Sequence, residues 1–261
     1  AIWGCQSSED DFVKRLHQTL MSTPTDPFEI EKKLPFSAKL FRAALLSTME
    51  FASPVRRREI DILAGFGSEV HFDEKDVFED TAFRMVRSGD SAGQGLPAYA
   101  LAIRKHIDID ALNRTLFQNW DYRDDDFSLR WDPIEDQRYA LRWYNPSSET
   151  NKKYALKTMR GANALSLEAL ALFPVQPQAF GKTATTCFSW FSRKREFFTW
   201  PIWDQPISLD IIRALLSLSD LHNSESPPRQ ILAKRGIVEI YRCERIAPNK
   251  YYKNFTPAVP T

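Results

Sequence analysis

"TTCFSWFSRKREFFTWPIW", Thr185 to Trp203, sets seven aromatic residues on either side of three consecutive basic ones. Apolar flanks around a short polar turn are the pattern of a β-hairpin. Along "EFFTWPIW" successive side chains alternate sides, so Phe197, Thr199 and Pro201 face one way and Phe198, Trp200 and Ile202 the other. Two apolar faces mark a strand covered on both sides. Most of these rings are therefore expected in the core, leaving Trp190 or Trp203 for stacking on a ligand and the basic turn Arg193, Lys194 and Arg195 at the tip.

Other strands gather late in the chain and helices early. "FSLRW", "DPIEDQ" and "RYALRWY" read as a further hairpin, and "IVEIYRCERI" as a strand with Ile237, Glu239 and Tyr241 on one side. Before them, residues 9–21 have the spacing of an amphipathic helix with Phe12, Leu16 and Leu20 on one face. "PFSAKLFRAALLSTMEFA" reads as a core helix capped by Ser37, with Leu40, Phe41, Ala44, Leu45 and Met49 near helical spacing. Further helices are expected in "VRRREIDILAGFG", "LPAYALAIRKHI" and "DIDALNRTLFQN", the last opened by Asp108 or Asp110. "RGANALSLEALALF", "SLDIIRALLSLSDL" with Ser208 as cap, and "PPRQILAKRG" supply the later helices. The stretch from Glu69 to Gly95 shows no sustained period and reads as a long surface excursion.

Together these elements predict an α+β fold: a helical N-terminal half, and a C-terminal half with antiparallel β-hairpins packed by helices. The natural division is a mainly helical acidic region over 1–126 and an α+β basic region over 127–261. Residues 1–130 carry a net charge of −5 and residues 131–261 carry +6, although the whole chain is only +1. Such asymmetry points to nucleic acid on one side and a protein neighbour on the other. Three widely spaced cysteines argue for a reducing compartment, and no run approaches the roughly 18 apolar residues of a membrane span. The opening "AIWGCQSSEDD" has neither a basic leader nor an apolar signal segment, so a cytoplasmic location without membrane contact is expected. The absent initiator Met is expected to reflect processing or missing upstream residues.

No motif predicts an enzyme or a cofactor. "FGKT" at Phe180 to Thr183 resembles the end of a phosphate loop, but the earlier glycine that loop needs is replaced by Gln176. His17, His71, His106 and His222 are far apart and never paired with cysteine at metal-ligand spacing. A metal-dependent nuclease would need converging carboxylates; Asp61, Glu69, Asp73 and Glu74 are the best available set, with Lys75, Asp76 and the run Asp124, Asp125 and Asp126 as other acidic groups. Acidic runs of this kind are usually solvated loops. The basic residues make the stronger pattern. Besides the Arg56–Arg57–Arg58 cluster, Arg193, Lys194, Arg195, Lys234, Arg235, Arg242 and Arg245 are candidate phosphate contacts, with Arg229, Lys250 and Lys253 nearby in sequence. Basic residues at a hairpin turn also simply keep a strand edge soluble, an alternative of equal weight for the tip.

The stretches "LRWDPIEDQRYALRW", "RGANALSLEALALF", "FFTWPIWDQPISLD" and "KNFTP", which together span Ser128 to Pro257, resemble proteins encoded beside type I CRISPR systems of the variant subtype I-U, also called I-G. They look like a large-subunit-like or accessory component of the RNA-guided effector complex. The resemblance implies a non-catalytic subunit that binds DNA or guide RNA, meets neighbouring subunits and takes part in antiviral defence. It contains no catalytic signature, and so transfers no functional residue. The expectation is a nucleic-acid-binding subunit; the alternatives are a metal-dependent nuclease and a protein-only scaffold.

Overall fold

Helix α1 (Glu9–Ser22) starts where the Ser8 hydroxyl accepts the Asp11 backbone N–H, which satisfies one of the donors left open in a first helical turn. The computed structural model describes residues 8–53, 57–69, 77–85, 95–125, 127–132, 158–178, 183–191, 195–222, 224–249 and 252–261. The same cap opens α2 (Ala38–Glu50) with Ser37 and α5 (Ile109–Phe117) with Asp108 rather than Asp110. Between them lie α3 (Arg58–Phe66) and α4 (Leu96–His106). Helix α6 (Arg160–Ala169) lies where "RGANALSLEALALF" reads as a helix, and its end tightens into a 3₁₀ turn, Leu170–Leu172.

Helices α5 and α6 approach closely at Gly161: a Cβ there would lie 2.3 Å from the Ala111 carbonyl oxygen, so only glycine fits. Helix α1 differs from its expected face in one respect. Val13 and Leu20 are buried, whereas Phe12 and Leu16 pack at the margin. Helix α2 is less central than its composition predicts: Ala38 and Phe41 are buried, while Leu46, Met49 and the following Phe51 are more than half exposed.

Short strands β1 (Gly67–Ser68) and β2 (Glu79–Asp80) pair antiparallel, as do β3 (Val175–Pro177) and β4 (Thr183–Thr185). The main sheet contains β5 (Phe188–Phe191), β6 (Arg195–Trp203), β7 (Ile237–Asn249) and β8 (Tyr252–Phe255) in that spatial order, with β9 (Val259–Pro260) also on β7. All its pairings are antiparallel, so the α+β expectation holds, with helices early and hairpins late. The flank of the expected hairpin before its basic turn is not one continuous strand: β4 and β5 are separated at Thr186 and Cys187, and Cys187 adopts a left-handed φ of 71°. Gly236 makes the tight turn before β7 with φ of 80°, where glycine carries no Cβ penalty.

One sheet face meets the main core. Phe188, Phe198 and Cys243 pair across β5, β6 and β7 and join Phe255 in a cluster that also holds Val13, Phe66, Ile103, Leu112 and Leu167. Regions 1–126 and 127–261 thus share this cluster. A smaller cluster gathers Ile237 and Ile240 with Leu215, Leu221 and Leu232, which come from α7 (Leu209–Leu216), α8 (Ser219–His222) and α9 (Arg229–Ala233). Residue Ser208 caps α7 as expected.

The structure corrects two readings. The 69–95 stretch is not wholly a surface excursion, because Ala82, Phe83 and Met85 are core residues; residues 70–76 and 86–94 lie outside the described ones. "FSLRW" is not a strand either. Phe127 and Arg130 have φ of 61° and 60°, which breaks an extended run, and Trp131 turns inward to donate its indole N–H to the Phe83 carbonyl at 2.8 Å. The rest of that expected hairpin falls outside the described residues. Among the described residues no helix is long and apolar enough to cross a membrane.

Candidate nucleic-acid interface

The β5–β6 hairpin is held by the register Phe188↔Phe198, Ser189↔Phe197, Trp190↔Glu196 and Phe191↔Arg195. Paired residues point to the same side, so Trp190 and Glu196 lie on the core-facing side but beyond the core's edge, and Phe191 and Arg195 on the other. Trp190 is 61% exposed, while Trp203 packs against the smaller cluster. On the opposite side Arg195 lies over the Phe197 ring at 4.9 Å, and Phe197 tilts against Phe191 at 5.5 Å. The buried Arg242 guanidinium lies 4.8 Å from Phe191 and 5.8 Å from Phe197, so cations and rings alternate along this surface.

The seven candidate phosphate contacts meet different fates. Arg193 and Lys194 lie outside the described residues. Arg195 has a side chain 57% exposed and makes a two-pronged pair with Glu244 at 2.7 and 3.1 Å. Lys234 and Arg235 are exposed, and Arg235 reaches Asp220 at 3.2 Å. They sit in the turn before Ile237, which pairs with Trp203 at the far end of β6. Eight residue steps along the extended strand separate that end from Arg195, about 26 Å, so the two groups do not form one site.

The other two are internal. Arg242 is 7% exposed and donates to the Thr199 hydroxyl and to the Glu225 and Ser224 carbonyls, and burial pulls its pKa below the usual guanidinium value. Arg245 pairs with the buried carboxylate of Glu196. Both are therefore corrected from phosphate contacts to struts: their donors hold the sheet and the loop above it. Of the Arg56–Arg57–Arg58 cluster, Arg57 pairs with Asp61 and Arg58 with Glu168, while Arg56 lies outside the described residues.

Acidic groups are engaged with arginines in the same way. Asp61 accepts from Arg57 at 3.0 Å and Arg213 at 2.7 Å, and Glu69 pairs with Arg42. These are the described members of the set considered for metal; Asp73 and Glu74 lie outside. Asp124 accepts from both Arg114 and the Arg160 backbone N–H at 2.8 Å. Histidines 17, 106 and 222 each meet a backbone carbonyl, at Ile107, Ala102 and Leu216. Among the described residues no group of three His, Cys, Asp or Glu side chains is placed to hold a metal ion.

Two polar centres escape a reading by pattern. Arg114 joins Asp110, Asp121 and Asp124; only its i,i+4 spacing from Asp110 is visible in the sequence. Asp132, 4% exposed, accepts the Thr158 hydroxyl at 2.7 Å, and Asn163 donates to the same hydroxyl. Burial pushes the Asp132 carboxyl above the usual carboxylate range, although the Thr158 and Ser128 hydroxyls and backbone N–H groups oppose the shift. A raised folded pKa adds stability while the group is protonated, and that contribution is lost as pH rises through the raised value. Asp132→Asn stays neutral throughout. The stability of the parent relative to D132N is expected to fall as pH climbs from about 4, with a slope of at most about 1.4 kcal/mol per pH unit. Urea denaturation across a pH series reads this difference; a flat line would mean that Asp132 does not titrate with folding.

No family model, no curated protein and no solved structure matches this chain, so the hairpin's own geometry carries the functional argument.

Proposed function

We propose that the chain is a non-catalytic nucleic-acid-binding subunit of a prokaryotic CRISPR-type RNA-guided effector complex, and that the end of the β5–β6 hairpin makes its phosphate contact. The observation that carries this reading is the exposed Arg195 guanidinium, held over the Phe197 ring at the end of a hairpin whose turn continues into Lys194 and Arg193 in sequence. Its pair with Glu244 is solvent-exposed, and such pairs are weak enough for a phosphate to compete. The place in an effector complex rests on the resemblance of residues 128–257, and a cytoplasmic location follows from it. The exposed apolar side chains Leu46, Met49 and Phe51 support a protein neighbour as well. Lys234 and Arg235 are kept as a separate, distal contact.

Phosphate binding releases counterions, so affinity falls with salt at about 0.7–0.9 logarithmic units per contact. Arg195→Ala is expected to weaken binding and flatten the salt dependence by about one contact. Glu244→Gln removes the competing carboxylate and is expected to tighten binding at low salt. Fluorescence anisotropy of labelled DNA and RNA against salt checks both. If the parent binds neither nucleic acid, or if R195A leaves affinity and salt slope unchanged, this reading fails.

A further inference from the structure

We infer that the hairpin takes an unpaired nucleic-acid strand, with the Trp190 ring as the platform for one base. This rests on the nucleic-acid reading above and adds the strand's state and the residue that senses it. Trp190 is 61% exposed although it stands on a strand whose next inward residue on the same side, Phe188, is buried. Strand β5 ends the spatial order of the main sheet, so the ring's outward side meets no further strand of that sheet among the described residues. A tryptophan left in this position offers a broad π-face to solvent.

The electrostatics distinguish the two sides of the hairpin. On the Arg195 side Glu244 opposes a phosphodiester, and the Glu225 charge also acts on Arg195. On the Trp190 side the cross-strand neighbour is Glu196, which is buried and paired with Arg245. A strand approaching Trp190 therefore meets a carboxylate already neutralised. Arg195, at the end of the same hairpin, remains exposed for the backbone. Ring and guanidinium stand on opposite sides of the hairpin end, so a strand that crosses this end meets in turn the two partners of its repeating chemistries, a π-face for a base and a cation for a phosphate. In a duplex the base faces are stacked on one another, so Trp190 has no partner without unstacking a step.

The test compares four labelled probes of equal length: oligo-dT, oligo-U, the same DNA backbone with abasic sites, and a blunt duplex. Base stacking on one aromatic side chain predicts that Trp190→Ala weakens oligo-dT or oligo-U binding about tenfold and leaves abasic and duplex binding unchanged; Trp190→Phe retains part of the effect. The variants should keep the parent's urea midpoint, because the ring is exposed. Equal losses on base-bearing and abasic strands, or no loss on either, overturn the stacking role. If R195A weakens every probe while W190A weakens none, the phosphate contact survives and this inference alone falls. If neither variant changes binding of any probe, both fall.

Discussion

Replacing Phe83 by Ala is expected to destabilise the protein by about 3–5 kcal/mol. Phe83 lies between the helical layer and the main sheet, 7% exposed, with the rings of Trp131, Phe173, Phe188, Phe198 and Phe255 at centroid distances of 5.8, 5.3, 5.0, 5.2 and 6.2 Å. Each contact is edge-on, so the positive ring edges meet negative faces, which adds to the area that the side chain removes from water. Truncation leaves a void bounded by five rings, and four of them, Phe173, Phe188, Phe198 and Phe255, already pack among themselves, which limits their movement inward. The loss is a large part of the roughly 5–15 kcal/mol that usually separates folded from unfolded domains. Urea denaturation should show a markedly lowered midpoint, with Phe83→Leu between parent and F83A. An F83A midpoint close to the parent's would mean that this cluster is not the hinge between helices and sheet.

That residue also shows where reading the sequence stops. The β5–β6 hairpin and the Ser37 and Ser208 caps are legible because each depends on residues within a few positions, through alternation or one side chain reaching a nearby N–H. Phe83 lies in an aperiodic stretch with no element of its own, and its partners are at least 48 positions away. Nothing local marks it as core. The candidate site was half legible for the same reason. Three basic residues at a turn are visible, but nothing local separates Arg242, between Tyr241 and Cys243, or Arg245, between Glu244 and Ile246, from surface cations on a strand. Their burial follows from what covers them: the loop carbonyls of Ser224 and Glu225 for Arg242, and the Glu196 carboxylate for Arg245. The asymmetry of charge is likewise no guide to which groups pair: Asp61 meets Arg213 across the two halves in the sense the asymmetry suggests, whereas Arg58 and Arg104 of the acidic half meet Glu168 of the basic one.

The Glu168 contact makes the second large effect. Its carboxylate accepts Arg58 through Nε at 2.6 Å and Nη2 at 2.8 Å, and Arg104 through Nη1 at 2.7 Å. The two arginines also donate to the Pro24 and Thr23 carbonyls, which ties α3, α4 and α6 to the end of α1. Arg104 is 4% exposed; desolvation lowers its pKa, Glu168 opposes that shift, and the Arg58 charge adds to it. Removing Glu168 leaves two facing cations, one of them buried, with no carboxylate between them. Uncompensated buried charge of this kind costs about 3–5 kcal/mol, and the partial exposure of Glu168 and Arg58 places Glu168→Ala near about 3 kcal/mol. Glu168→Gln keeps an acceptor oxygen and should cost less. The decisive comparison is Arg104→Met combined with E168A. Removing the buried charge together with its counterion should restore part of the urea midpoint that E168A alone loses, because the penalty is the orphaned guanidinium rather than the missing contact. Strict additivity of the two losses would show that Arg104 and Glu168 act independently, and that the tie between the N-terminal helices and α6 lies in apolar packing alone.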